Sequence, residues 1–207
     1  MENTQSIKLH LGCGSKKLDG WVNIDSVKEF EPDMVHDITH PLPFEDMTVD
    51  EVLAEDLLEH FDKYMRFVVF YQWVRVLKIG GRVTLQVPNF KKILYRYFKF
   101  GYDKFVDFIF GENMLGSEVY IGHFGNHKWG YSVETLSDFV KMFGLEPVDT
   151  TCKGLNIFMT AEKKKHVSEA ELNEIQIYSH ANAGGDKPSL PLEFVKEKIK
   201  IYQEQQE

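Results

Sequence analysis

Cysteine is scarce in this chain of 207 residues, where only Cys13 and Cys152 occur. Two cysteines so far apart provide neither the ligand spacing of a zinc site nor a disulfide framework, so we expect a reducing compartment. Long apolar runs are also missing, and none approaches the roughly 20 residues that cross a membrane. Residues 1–4 lack the charged and apolar blocks of a signal peptide. These absences together predict a soluble, cytoplasmic protein.

Positive charge is in deficit as well. The chain has 24 basic and 32 acidic residues, which gives a net charge of −8. An acidic chain is a poor binder of nucleic acid or of an anionic membrane when binding is broad and independent of sequence. We therefore expect a small or neutral substrate, with no nucleic-acid partner and no membrane partner. The length suffices for one domain with a sizeable core.

The most informative stretch is residues 7–25, IKLHLGCGSKKLDGWVNID. It predicts a strand over residues 7–11, a turn at Gly12-Cys13-Gly14 and a second strand over residues 21–24. Glycines in such a turn allow positive φ and let a ligand approach the backbone closely. Asp25 follows the second strand, where an acceptor-only carboxylate can take both hydroxyls of a ribose. The stretch therefore predicts a nucleoside-binding turn.

A dinucleotide fingerprint would need a third glycine, a phosphate-facing helix and an acidic residue about 20 positions further on. Lys16 stands where the third glycine would be, and Asp25 follows Gly14 by only 11 positions. That spacing is too short for a strand and a full helix, so it disfavours a nicotinamide-dependent reductase. A nucleoside without phosphates fits better, and S-adenosylmethionine is the common cofactor of that kind.

The segments LHLGCG and DGWVNID resemble the opening of class I S-adenosylmethionine-dependent methyltransferases, in the small type-11-like branch with a GCG motif. Four further segments that resemble the family follow in order: HDITHPLPFED, EVLAEDLLEHF, WVRVLKIGGRVTLQVPN and HKWGYSVETLSDFVKMFGLEPV. The resemblance covers most of residues 7–162. It implies an α/β, Rossmann-like fold with a mostly parallel sheet, an antiparallel C-terminal hairpin strand and helices on both faces.

The resemblance also implies a set of residues that hold S-adenosylmethionine: Leu11, Gly12, Cys13, Gly14, Asp25, Asp37, Ile38 and Glu55. In the family an acid at the position of Asp37 often accepts from the adenine amino group, since a carboxylate only accepts. The alternative is an aspartate that caps a loop. Glu55 stands where relatives contact the methionine end of the cofactor, and its carboxylate could meet the ammonium group.

Apolar residues recur at i, i+3 and i+4 between Phe61 and Lys78, which predicts an amphipathic helix against the sheet. We expect this helix to end at Gly80-Gly81 and a buried strand to follow over residues 82–87. Residues 90–130 are predicted to form a helical insertion that lies over the sheet as a lid. Its interleaved basic and aromatic residues could also stack on single-stranded nucleic acid, but the acidic chain argues against that.

His123 and His127 lie in a loop with glycines at 122, 125 and 130. A spacing of four residues would suit a metal only on a helix, which these glycines oppose, so we expect no metal. In relatives the matching loop closes over the substrate, which makes the two histidines candidates for the general base. The alternative is that they only satisfy backbone groups of the loop.

The run of lysines at 163–165 is predicted to end a methyltransferase domain of residues 1–165. Residues 166–207 would form a helical extension that starts with a capping box at Ser168 and Glu171. A narrow apolar stripe in this extension either docks on its own domain or pairs two subunits as a homodimer: Leu192, Val195, Ile199 and Tyr202.

The function implied is methyl transfer by in-line displacement to a small-molecule or sugar-like acceptor, on oxygen or nitrogen. If the acceptor is a hydroxyl, a base must take its proton, and a histidine is the usual choice. The alternative is a cofactor-binding scaffold or regulatory protein that kept the fold and lost catalysis. His10 gives this alternative some support, because many relatives carry an acid at that position, although the smaller GCG relatives vary there.

Overall fold

Seven strands form one mixed sheet in a computed structural model that describes residues 6–100, 126–168 and 170–171. The strands are β1 Lys8–Leu11, β2 Val22–Asp25, β3 Met34–Val35, β4 Val49–Glu55, β5 Leu77–Pro88, β6 Leu145–Lys153 and β7 Asn156–Lys163. The helices are α1 Met65–Val76, α2 Phe90–Phe100 and α3 Val133–Met142, with 3-10 turns at Lys28–Phe30 and Leu58–His60. The chain divides into two compact units, residues 1–165 and residues 166–207.

The order of the strands is β3-β2-β1-β4-β5-β7-β6. The first five run parallel, and β7 is antiparallel to both of its neighbours, β5 and β6. Leu11 pairs with Ile24 of β2 and with Ala54 of β4, so these strands end at one edge of the sheet. The predicted α/β fold with a C-terminal antiparallel hairpin is therefore confirmed. This topology collects the carboxyl ends of the five parallel strands at the edge where open α/β sheets bind ligands.

Aromatic rings fill the core between α1 and α3. Phe70 and Trp73 of α1 are fully buried, and the Phe70 ring centroid lies 5.0 Å from that of Phe139 and 4.9 Å from that of Phe143. Such tilted and edge contacts add to the free energy gained by burying the rings. These α1 rings lie in the segment that the sequence predicts to be a helix packed against the sheet.

The predicted boundary between α1 and β5 was wrong. The helix ends at Val76, and Leu77 already has extended backbone and pairs with Val49 of β4. Gly80 and Gly81 consequently lie within β5 and do not end the helix. Leu77 is fully buried. Pairing with β4 and burial of one more apolar side chain together favour the strand over another turn of helix.

Lys163, the last residue of β7, is fully buried. Its Nζ donates to the carbonyl oxygens of Val74 at 2.7 Å, Leu77 at 2.7 Å and Arg75 at 3.4 Å. These carbonyls lie at the C-terminal end of α1, where the helix itself offers no donors and a cation is favoured. Burial lowers the pKa of Lys163 to about 8. Lys163 thus caps the C-terminal end of α1.

The predicted lid is described only in part. Residues 90–100 form α2, and residues 126–130 are described as loop, while 101–125 lie outside the described residues. Most of the predicted extension, with the apolar stripe and the homodimer inferred from it, also lies outside them. Ser168 and Glu171 do bond reciprocally: Ser168 N donates to Glu171 Oε2 at 2.9 Å and Glu171 N donates to Ser168 Oγ at 3.3 Å. Within the described ranges, no helix has the length and apolarity needed to span a lipid bilayer.

Candidate functional site

The glycine turn after β1 lies at the carboxyl edge of the sheet. Gly12 has φ +60° and Gly14 has φ +52°, a region that L side chains rarely adopt. A Cβ at Gly12 would come within 2.7 Å of Leu57 Cδ1, whereas a Cβ at Gly14 would meet nothing within 4 Å. Both glycines are therefore needed for the backbone conformation, and Gly12 is also needed for close packing. Leu11 and Cys13, on either side of Gly12, are buried.

Asp25 holds this turn together. Its Oδ2 accepts from Gly14 N at 2.8 Å, and its Oδ1 accepts from Val27 N at 2.9 Å. The residue is 9% exposed. Because each carboxylate oxygen has further lone pairs, these two bonds leave acceptor capacity at the end of β2. The carboxylate thus orders the turn and still has room to accept from a ligand.

Asp37 and Ile38 follow β3 at the same edge. Asp37 Oδ1 accepts from Thr39 N at 2.9 Å and from Thr39 Oγ1 at 2.8 Å, and its Oδ2 lies 3.5 Å from His40 Nδ1. These are the contacts of a loop-capping aspartate, the alternative considered from sequence. Ile38 is buried at 8% exposure. An adenine contact by Asp37 stays a prediction.

Glu55 ends β4 beside two basic side chains. Its Oε2 contacts Lys16 Nζ and lies 3.8 Å from His10 Nε2. His10 is 1% exposed, and its Nδ1 lies 3.3 Å from Asn23 Oδ1. Burial lowers the pKa of His10, while Asn23 and the Glu55 carboxylate act in the opposite direction. The carboxylate of Glu55 is therefore balanced by Lys16, the residue that replaces the third glycine of a dinucleotide motif.

A second polar cluster lies beyond β4, in a 3-10 turn and a distant loop. Its members are Glu59, His60 and His127, whose nearest donor atoms all lie within 4.8 Å of one another. The His60 and His127 ring centroids are 5.1 Å apart. Sequence spacing paired His127 with His123, which lies outside the described residues. The structure instead brings His127 to His60, a contact that no local pattern in the sequence indicates.

Glu59 is the unusual member of this cluster. It is 1% exposed, and neither carboxylate oxygen has a hydrogen-bond partner in the described part of the chain. Burial raises the pKa of Glu59 to about 8; its own backbone N–H acts against this rise, and the neighbouring Asp56 carboxylate adds to it. Asp56 itself has φ +48° and accepts from Gln86 Nε2 at 2.5 Å. A buried acid without partners is costly, so Glu59 is a candidate for a chemical role.

Comparisons with known proteins agree on the architecture. A family model described as a methyltransferase domain matches residues 9–85. A SAM-dependent methyltransferase from Methanosarcina mazei is similar at 16% identity with a TM-score of 0.55, covering 77% of this chain and 93% of that chain. No curated protein matches the sequence.

Two further structures are similar. One is a complex of the Haloferax volcanii Trm112 methyltransferase activator with a methyltransferase, at 13% identity and TM-score 0.55, covering 80% of this chain and 85% of that chain. The other is the Burkholderia thailandensis 1,6-didemethyltoxoflavin-N1-methyltransferase with bound 1,6-didemethyltoxoflavin and S-adenosylhomocysteine, at 15% identity and TM-score 0.52, covering 77% of this chain and 72% of that chain. At such identities these likenesses show the fold alone.

Proposed function

We propose, from the premise that this chain is a class I S-adenosylmethionine-dependent methyltransferase with a type-11 methyltransferase domain, that its acceptor is a small molecule or a sugar-like compound. The methyl group would go to a hydroxyl or an amino group. The observation that carries the proposal is the glycine turn at the carboxyl edge, closed by Asp25 through Gly14 N. The acidic net charge of −8 supports a small acceptor over nucleic acid.

The proposed cofactor contacts are Leu11, Gly12, Cys13, Gly14, Asp25, Asp37, Ile38 and Glu55. Burial raises the pKa of the Cys13 thiol to about 11, so the thiol stays protonated and contributes no nucleophile. Asp25 would accept from the ribose hydroxyls, and Asp37 from the adenine amino group. Glu55 would exchange its contact with Lys16 for the ammonium group of the cofactor.

Methyl transfer from a sulfonium needs alignment and exclusion of water more than it needs reactive side chains, because positive charge disperses in the transition state. A hydroxyl acceptor must still lose a proton. We propose that His123 or His127 takes it. Support comes from the position of His127 in a loop pinned to the turn after β4, where Lys128 N and Trp129 N donate to Glu59 O at 2.8 and 3.0 Å.

Calorimetric titration with S-adenosylmethionine, S-adenosylhomocysteine and NADH tests the cofactor site. The Asp25→Asn variant should bind the first two on the order of tenfold more weakly, since the ribose loses a charged acceptor. Asp33→Asn is the matched control, because Asp33 also accepts from backbone, at 2.8 Å from Asn23 N, and is not a proposed contact. Binding of NADH alone would overturn the proposal.

Turnover on a panel of small hydroxylated and amino acceptors tests the chemistry. His127→Ala and His123→Ala should each lower turnover while sparing cofactor affinity. Unchanged turnover in both variants would remove the histidines from the mechanism. Tight cofactor binding with no turnover on any acceptor would favour the second candidate function, a scaffold without catalysis. The observation that favours that candidate is His10, the departure from the family noted from sequence, which is buried beside Asn23 and Glu55.

A further inference from the structure

Backbone hydrogen bonds hold together the two segments that carry Glu59, His60 and His127. We call these three residues the Glu-His-His cluster. The loop around His127 is fastened to the 3-10 turn on both sides of the histidine. His60 Nδ1 bonds to Asn126 O at 3.1 Å, while Lys128 N and Trp129 N donate to Glu59 O at 2.8 and 3.0 Å. The backbone therefore fixes where the three side chains meet.

The hydrogen bond of His60 also decides which ring nitrogen is available. A carbonyl oxygen only accepts, so Nδ1 of His60 must carry the proton that it donates to Asn126 O. In a neutral ring this leaves a lone pair on Nε2. Histidines that bind metals are commonly oriented in this way, with the other nitrogen donating to a backbone carbonyl.

Glu59 supplies the observation that points to a ligand. The side chain is 1% exposed, and both of its oxygens are buried without a hydrogen-bond partner in the described part of the chain. Burying a carboxyl group without a partner costs free energy that a bound cation would recover. The loop and the turn thus enclose an acid whose natural partner is a positive charge.

We propose that Glu59, His60 and His127 bind a divalent transition-metal ion of the zinc type. Two imidazole nitrogens and one carboxylate oxygen are a donor set that zinc accepts, with room for a further ligand. Their present separations of up to 4.8 Å require the side chains to move inward when the ion binds. Mg²⁺ and Ca²⁺ fit poorly, because they prefer oxygen ligands.

The ion would change the role of His127. One nitrogen cannot coordinate a metal and accept a proton at the same time, so loading the site removes the general base proposed for methyl transfer. Zinc should therefore inhibit turnover on hydroxyl acceptors. Binding of the ion itself does not depend on the proposed function, and it is measured without cofactor or acceptor.

The test is titration of the metal-free full chain with Co²⁺, whose visible absorption reports nitrogen and oxygen coordination, followed by displacement with Zn²⁺. Equilibrium dialysis should give one tightly bound Zn²⁺ per chain. Glu59→Gln and His60→Gln should each weaken binding by about tenfold or more, since even loss of an outer-shell partner of a metal ligand costs that much. His40→Gln is the matched control, since His40 also lies beside an acid, 3.5 Å from Asp37 Oδ2, and should change nothing.

Circular dichroism and thermal melting confirm that each variant is folded before it is titrated. Equal affinity in the native chain, Glu59→Gln and His60→Gln would overturn the proposal and would assign any bound ion to surface groups. Failure to bind Co²⁺ or Zn²⁺ at all would overturn it as well. Neither result would affect the cofactor titrations, so a failed metal site and a failed methyltransferase assignment are distinguishable.

Discussion

The two polar regions at the carboxyl edge of the sheet are built in opposite ways. In the glycine turn the buried carboxylate of Asp25 has a backbone donor on each oxygen, at 2.8 and 2.9 Å. In the Glu-His-His cluster the carboxylate of Glu59 is at least as well buried and has no partner in the described ranges. A satisfied buried group stabilises a shape, whereas an unsatisfied one costs free energy until something binds. The comparison thus separates Asp25, which stabilises the shape of the site, from Glu59, for which we propose a ligand.

Lys163 extends the comparison to a cation, because its Nζ has three carbonyl acceptors. Lys163→Met keeps most of the volume but leaves the carbonyls at the end of α1 without a donor, so we expect a loss of about 2 to 4 kcal/mol. Urea denaturation measures it. Lys164→Met is the control: its side chain is 52% exposed and pairs with Glu162, so it should cost less than about 0.5 kcal/mol. Equal losses would contradict the capping role.

Within the glycine turn, Gly12 lies in a crowded position and Gly14 in an open one. Gly12→Ala combines positive φ with a 2.7 Å clash against Leu57 Cδ1, and we expect it to cost about 1 to 3 kcal/mol. Gly14→Ala meets only the backbone strain, because no atom lies within 4 Å, and should cost about 1 kcal/mol less. Chemical denaturation of both variants gives the difference. An equal cost would show that Leu57 moves aside.

The pH dependence of stability offers a third comparison. Burial lowers the pKa of Lys163 from 10.5 to about 8, so between these values the unfolded chain binds more protons than the folded one. Stability then rises with pH in that window, at most by about 1.4 kcal/mol per pH unit. The native chain and Lys163→Met are each unfolded in urea at pH 8 and at pH 10. The difference in free energy of unfolding between the two proteins should be larger at pH 10 than at pH 8. A constant difference would show that the three carbonyls keep the ammonium charged throughout.

Glu59→Leu tests the Glu-His-His cluster directly. Replacing an unpartnered buried acid by an apolar side chain should raise the stability of the metal-free protein by about 0.5 to 1 kcal/mol. Thermal melting without and with Zn²⁺ measures this effect, and the rise in Tm on adding Zn²⁺ should disappear in the variant. Glu134→Leu, at an exposed ion pair with Lys91, is the control. A loss of stability would mean that the Glu59 carboxyl is already well accommodated.

The same contrast explains what the sequence could and could not predict. Gly12, Gly14 and Asp25 are close in the chain, so their spacing predicts the turn that the structure shows. The His60 contact with Asn126 spans 66 positions, and nothing in a single sequence encodes which turn that loop reaches. The burial of Lys163 could not be predicted for a related reason. A run of three lysines indicates a surface, and the burial of the first one depends on where α1 ends.

The position of β7 carries a consequence for how the chain assembles. β6 comes earlier in the chain, yet in the sheet it touches only β7, which lies between it and β5. As the chain leaves the ribosome, β6 has no strand to join until residues 156–163 emerge, and the hairpin must then add to β5 as a unit. Until that moment Leu85 and Val87 of β5 lack their neighbours Met159 and Ile157. Within the described residues, β7 is therefore the strand that joins β6 to the rest of the sheet, and we expect a truncation that removes β7 to release β6 as well.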